Sequence, residues 1–356
     1  MTQHDAQLRA EDRLDPMVQR QRGTVGRRRG RGGKRRRDEH QMVPDAVFTS
    51  YYGRPVVKAS PWEADIPAYL FLGGLAAGSS LLGAGAGLTG RPVLRRAGRL
   101  SALGAISVSF AALVHDLGRP SRFVNMLRVA KPTSPMSVGT WILTAYGPLA
   151  GLAGAAELLV PAVDRLPGAL RPPVRVLDRL ASPAGIGAAL VAPAVASYTA
   201  ALLANTATPT WSAARKQLPF VFVGSASAAS GGLGMLLAPV SEAGPARRLA
   251  LGGALLELGA ERAMEASMGV TAEPLHTGVG GNLMQASKAL TSFGAAGSLL
   301  AGRSRLAAVV SGAALVAGSV CTRFGIFEAG QASARDPKYT VLPQRQRIER
   351  GETTGA

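Results

Sequence analysis

The chain has a single cysteine and four histidines among its 356 residues. Cys321 alone cannot close an intramolecular disulfide, and one thiolate cannot hold an iron–sulfur cluster. It sits inside an apolar run, where a thiol packs as a small hydrophobe. A bis-histidine haem takes a pair of imidazoles at membrane depth. Only His115 and His276 lie near such depth, and His276 follows a Glu273-Pro274-Leu275 turn, so no haem is expected. Aromatic residues make up 5% of the chain, and acids are scarce enough to leave a net charge of +18. A basic excess of that size suggests nucleic acid. Here, though, Lys and Arg crowd into an N-terminal tail and into the joints between apolar runs. That is the distribution of membrane topology signals, not of a nucleic-acid groove. No nucleic-acid partner is expected.

What is abundant is Gly, Ala, Leu and Val. Ile66 to Leu88 runs 23 residues without a charge, enough for a helix to cross a hydrocarbon core of roughly 30 Å. Trp62, Glu63 and Asp65 stand just before it, at headgroup depth, and Pro67 falls in the first turn, where a missing N–H costs nothing. Gly73, Gly74, Gly78, Gly83 and Gly87 permit close approach of neighbouring helices in lipid. The tail over residues 1–60 carries VGRRRGRGGKRRRDEH, a like-charge block of the kind that stays disordered and lies against anionic lipid. The apolar run after it is too long for an export signal, and Met42 is a second candidate start.

Seven further apolar segments are expected near residues 98–117, 138–161, 184–204, 218–239, 248–268, 283–302 and 305–327. Together they predict an all-α integral membrane protein of eight spanning helices, arranged as two four-helix bundles over 61–217 and 218–327, with a polar tail over 328–356. A weak repeat supports two halves: Phe71, Gly73, Ala77, Ser79, Leu82 and Gly83 recur 151 positions later, at Phe222, Gly224, Ala228, Ser230, Leu233 and Gly234. The expected location is the cytoplasmic membrane. Sidedness stays open, because the joints after odd-numbered helices are the more basic ones while the basic tail argues the reverse.

Two constellations carry chemistry. His115 and Asp116 end the second segment and open the run Leu117-Gly118-Arg119-Pro120-Ser121-Arg122. An imidazole beside a carboxylate near an interface can receive and pass protons; alternatively Asp116 and Arg119 only pair and close the helix. Deeper in the chain lie Glu157, the four-residue row Glu257, Glu261 and Glu265, and Lys288. Charges at depth must pair, face the interior or change protonation. These residues either form structural pairs or a proton path.

The runs YLFLGGLAAGSSLL and DLGRPSRFVNMLRVAKPTSPMSVGTWIL resemble the NrfD/PsrC family, the membrane subunits of polysulfide reductase, nitrite-reducing and formate dehydrogenase-type complexes. Tyr198-Thr199-Ala200-Ala201-Leu202-Leu203 is similar to that family's YTGxLL segment, with Ala200 in place of the usual Gly. The C-terminal CTRFGIFEAGQASARDPKYTVLPQR resembles members that actinobacteria encode beside a formate dehydrogenase-like enzyme. The resemblance implies a subunit without a prosthetic group that binds an exchangeable menaquinone or menaquinol. Its partners would be an iron–sulfur electron-transfer subunit and, through it, a molybdopterin catalytic subunit.

By position, Tyr198 would be a donor to a quinone carbonyl, and Trp62, Asp65, His115 and Asp116 would complete the site. Relatives with an Asn/His pair in the first helix differ from this chain, which has no such pair. Alternating helix direction puts the start of helix one and the ends of helices two and four at one interface. Arg119, Arg122, Arg128 and Lys131 would meet the partner or, alternatively, lipid headgroups. The competing classes are a secondary transporter, which also uses paired bundles and intramembrane acids, and an inert anchor.

Overall fold

Eight long helices lie among residues 54–349, which the computed structural model describes with the exception of Pro120 and Arg122. In chain order they are α1 (Asp65–Leu88), α2 (Pro92–Asp116), α3 (Pro135–Leu159), α4 (Arg171–Ala204), α5 (Leu218–Leu237), α6 (Gly244–Met268), α7 (Gly278–Leu300) and α8 (Arg305–Arg335), followed by a C-terminal helix α9 (Lys338–Glu349). The tail expected over 1–60 lies outside the described residues as far as Gly53.

Local chemistry sets the ends. Pro stands in the first turn of α2, α3, α4, α5 and α6, where its fixed φ suits a helix and its missing N–H is no loss. Ser134 and Ser304 cap α3 and α8 by accepting from Ser137 N and Ala307 N, satisfying donors with no partner inside the helix. The connection from α1 to α2 turns on Gly90, at φ +66°. Arg305 closes the last turn of α5: its Nη1 donates to the Met235 and Ala238 carbonyls, both at 2.7 Å. A cation at a helix C-terminus also suits the helix dipole.

α1 is the hub. It packs on α2, α4, α5 and α8, and most of its length is buried. Small residues allow this: a Cβ on Gly98 of α2 would meet the Gly83 backbone nitrogen of α1 at 2.6 Å. Ser230 of α5 donates to the Leu75 carbonyl of α1 at 3.1 Å, so the two halves of the weak repeat meet face to face. The described residues form one compact unit.

The expectation of eight spanning helices in two four-helix bundles needs correction. Six helical segments among the described residues are long and apolar enough to cross a membrane, drawn from α1 to α5 and from α8. α6 falls short because Arg247, Arg248, Glu257, Glu261, Arg262 and Glu265 share its 25 residues. α7 is diluted by Asn282, Gln285, Lys288 and several Gly and Ser. Nor does the packing separate two bundles, since α1 of the first half is wedged against α5 and α8 of the second.

Consecutive long helices run in opposite directions. The start of α1, the loop 117–134, the loop 205–217, the turn 269–277 and α9 therefore share one end of the protein, the Asp65 face. α9 is tied there by Lys338, whose Nζ donates to Glu273 at 2.8 Å. That hydrogen bond holds the exposed ammonium above the usual lysine value.

Candidate functional site

The site is built where α1, α2, α3 and α4 meet at the Asp65 face. Asp65 is the first residue of α1, and Tyr69 follows one turn later on the same side of the helix. His115 and Asp116 end α2. Tyr198 lies on α4, its ring against Gly139 of α3, where any Cβ would overlap the tyrosine. That glycine is what lets Tyr198 reach inward.

Asp65 and His115 meet directly, Oδ2 to Nδ1, at 2.6 Å, with the imidazole 80% exposed at the mouth. Beneath them the hydroxyls of Tyr69 and Tyr198 are hydrogen-bonded to one another, both inside the core. Trp62, Asp116, Tyr69 and Tyr198 are among the walls of a narrow cleft of about 60 Å³. Trp62 is fixed from behind. Its ring stacks on Trp211 at 6.0 Å, and Gln331 of α8 donates to the Ser60 and Trp62 carbonyls. Trp211 is itself buried and donates to the Ile326 carbonyl at 2.8 Å.

A second cavity of about 530 Å³ adjoins the cleft between α2 and α3 and shares Tyr69, Leu113, Thr140 and Leu143 with it. Its walls are mostly aliphatic and aromatic. A few converging polar groups at the end of an apolar cavity are the usual make-up of a small-molecule site.

The sequence model for the polysulphide reductase NrfD family matches residues 56–251, more than half of the chain. The protein belongs to the NrfD family. A comparison with curated proteins returned no match. The NrfD segment contains the whole cleft, from Trp62 to Tyr198, and ends within α6. Among the described residues no three His, Cys, Asp or Glu side chains gather as a metal-ligand set.

The other expected residues of this NrfD protein, where described, fall in four places. Arg119, Arg128 and Lys131 are exposed on the loop at the Asp65 face; Arg122 lies outside the described residues. Glu157 sits apart from the other deep acids, near the opposite face. Its Oε1 accepts from Arg95 Nε at 2.9 Å and Arg99 Nη1 at 3.0 Å. Glu265 binds Lys288 at 2.6 Å, with His276 at 3.8 Å on its other oxygen.

Glu257 and Glu261 form a fourth group with a residue that sequence reasoning missed. Arg323 of α8 is 1% exposed, Glu257 0% and Glu261 1%. Arg323 Nη2 donates to the Phe222 carbonyl at 2.7 Å, and its guanidinium lies 3.8 Å over the Phe222 ring. Glu257 accepts from Thr322 at 2.6 Å. Both oxygens of Glu261, one of Glu257, Arg323 Nε and Nη1, and Thr291 Oγ1 have no hydrogen-bond partner.

Tyr69 was also missed. Its signal was present, since a tyrosine one turn beyond Asp65 must face the same cleft. A charge inside the apolar run 305–327 was an equally legible sign for Arg323.

Proposed function

We propose that this protein is the quinone-reactive membrane subunit of a molybdopterin oxidoreductase of the formate dehydrogenase or polysulfide reductase type. It passes electrons between a docked iron–sulfur subunit and menaquinone. The observation that carries this reading is the buried Tyr69–Tyr198 hydroxyl pair at the end of an apolar cavity, with an acid–imidazole pair directly above it.

A quinone supplies the two-electron, two-proton chemistry when bound. The residues present fit such a group: Tyr69 and Tyr198 can each donate to a carbonyl oxygen, and the apolar walls accept a fused ring. Asp116 and Trp62 bound the cleft on its outer side. Asp65 orients the His115 imidazole through Nδ1 and leaves the other nitrogen free to exchange protons with water. Asp116, the next residue, lines the cleft itself and relays protons inward. The exposed Arg119, Arg128 and Lys131, with Arg122, dock the iron–sulfur subunit, which brings its cluster to the same face. The link to formate dehydrogenase rests on the C-terminal resemblance.

His115→Ala and Asp65→Asn test the mouth. General acid–base groups contribute on the order of 10²-fold or more, and His115 is open to water that replaces part of that. We expect menaquinone-linked turnover to fall about tenfold, while turnover with an artificial dye at the catalytic subunit is unchanged. Undiminished menaquinone turnover in both variants would rule out this mouth.

The buried group around Glu261 supports a coupled proton route as part of the same reading. Glu257 and Glu261 lie buried near one guanidinium, with Lys288 taken up by Glu265; low-dielectric surroundings do not hold the remaining charge cheaply, and in this reading one carboxyl carries an exchangeable proton. In proteoliposomes, Glu261→Gln is expected to reduce proton movement per electron with quinone turnover retained under uncoupled conditions. An unchanged proton-to-electron ratio would leave Glu257 and Glu261 as packing residues.

A further inference from the structure

A third cavity, of about 490 Å³, opens at the Asp65 face and shares no wall residue with the cleft. Its volume is within the range of ligand pockets. Three pieces of chain form it: the loop 205–217, the turn after α6, and α9. Its floor is firmly built. Thr210 Oγ1 donates to the Thr271 carbonyl at 2.9 Å, and the Thr210 amide donates to Ser333 Oγ of α8 at 3.2 Å. The start of α9 is held to the same turn by Lys338 on Glu273.

The charges in its walls have one sign. Arg215 comes from the loop and Arg347 from α9, and no Asp or Glu lines the cavity. Among the described residues neither arginine is in an ion pair. The neighbouring acids are engaged elsewhere: Glu273 by Lys338 Nζ, and Asp336 by the Lys338 amide at 2.9 Å. Glu349 is two residues beyond Arg347 and points from another side of α9. The carbonyl of Met268 at the end of α6, which would repel an anion, accepts from Thr271 Oγ1 at 2.7 Å. Ser212, Thr340 and Gln344 add neutral donors to the walls.

Two guanidiniums that line one space with no acid between them repel each other, and an anion between them turns that repulsion into attraction. Planar guanidinium forks with hydroxyl and amide donors match the oxygens of a phosphate. The level fits as well. α4 ends at Ala204 and α6 at Met268, so the cavity lies just beyond the helix ends, at headgroup depth. We infer that this cavity binds a phosphate group between Arg215 and Arg347. Two carriers bring that chemistry here, the headgroup of an anionic phospholipid and free inorganic phosphate. Either one ties the far half of α9 to the loop 205–217.

The test uses the full-length protein in nanodiscs of phosphatidylcholine, with or without phosphatidylglycerol. It reads phosphatidylglycerol retained on re-extraction by mass spectrometry, and radiolabelled inorganic phosphate by equilibrium dialysis. Arg215→Gln and Arg347→Gln alter exposed side chains, so the fold is kept. Each is expected to weaken binding about tenfold, and the double variant about 100-fold. Lys216→Gln, beside Arg215 but outside the walls, is expected to stay within about twofold. Phosphatidylglycerol held by the unsubstituted protein and lost from the double variant supports a headgroup site. Inorganic phosphate bound in phosphatidylcholine alone, and lost in the same variant, supports free phosphate. An equal loss in Lys216→Gln would overturn the site, because diffuse surface charge would then account for the binding. Binding of neither probe, or binding unchanged in the double variant, would also overturn it. If that variant instead released an iron–sulfur subunit with both probes still bound, the arginines would belong to a protein carboxylate and the phosphate site would fall.

Discussion

Tyr198→Phe is expected to lower menaquinone-linked turnover by about 10- to 100-fold and to leave dye-linked turnover at the catalytic partner unchanged. Phenylalanine keeps the ring that packs against Gly139, so shape and burial are conserved and only the hydroxyl goes. A buried hydrogen bond whose partner is left unsatisfied is worth about 1–3 kcal/mol, and that energy converts to roughly 10- to 100-fold in rate.

The substitution acts twice. In the free cleft it strips Tyr69 of its hydroxyl partner, and with quinone bound it removes one donor. Tyr69→Phe should therefore give a loss of the same order. The double variant should lose less than the two losses multiplied, because the residues act as a unit. Steady-state kinetics on the membrane-bound complex measures all three. Full menaquinone activity in the double variant would remove the tyrosine pair from the site.

Arg323→Met is expected to cost about 3–5 kcal/mol of stability, the range for removing one partner of a buried charged group. The guanidinium is enclosed by the Phe222 ring and carbonyl, and the row of Glu257 and Glu261 lies alongside. Methionine fills much of the same volume but removes the guanidinium charge beside the carboxyls and leaves only Lys288, which is engaged by Glu265. Glu257→Gln should then restore part of the loss, since it removes the charge that Arg323 balanced. The readout is thermal denaturation of the purified protein in detergent, for the two single variants and the double. A double variant no more stable than Arg323→Met would mean that Arg323 acts by packing on Phe222 and not by charge.

The mouth of the site was legible because it is made of residues at helix ends. Trp62, Asp65, His115 and Asp116 flank apolar runs, and charge next to such a run marks its end. Alternation of helix direction then places those ends on one side. Tyr198 came from resemblance, since a tyrosine inside an Ala-rich helix carries no sign of its own. Tyr69 was overlooked although spacing alone set it beneath Asp65. Glu157 was grouped with the deep acids by composition. The fold separates it from them, because α2 brings Arg95 and Arg99 to it from a stretch that reads as a basic joint.

Along the chain, apolar length, proline in the first turn and polar joints determine where the long helices run and how they alternate, because each of these acts through its own few neighbouring residues. Six are apolar enough to cross a membrane; the charges of α6 and the polar residues of α7 were in plain view, but segment length outweighed them. Which helices touch was decided only in three dimensions. Glycine is silent about its neighbour until the backbones meet, and so the central place of α1 could not be read from its six glycines. The same holds for the cavity between α2 and α3. It is defined by side chains that Gly147 and Gly151 do not have, and an empty volume leaves no mark in a sequence.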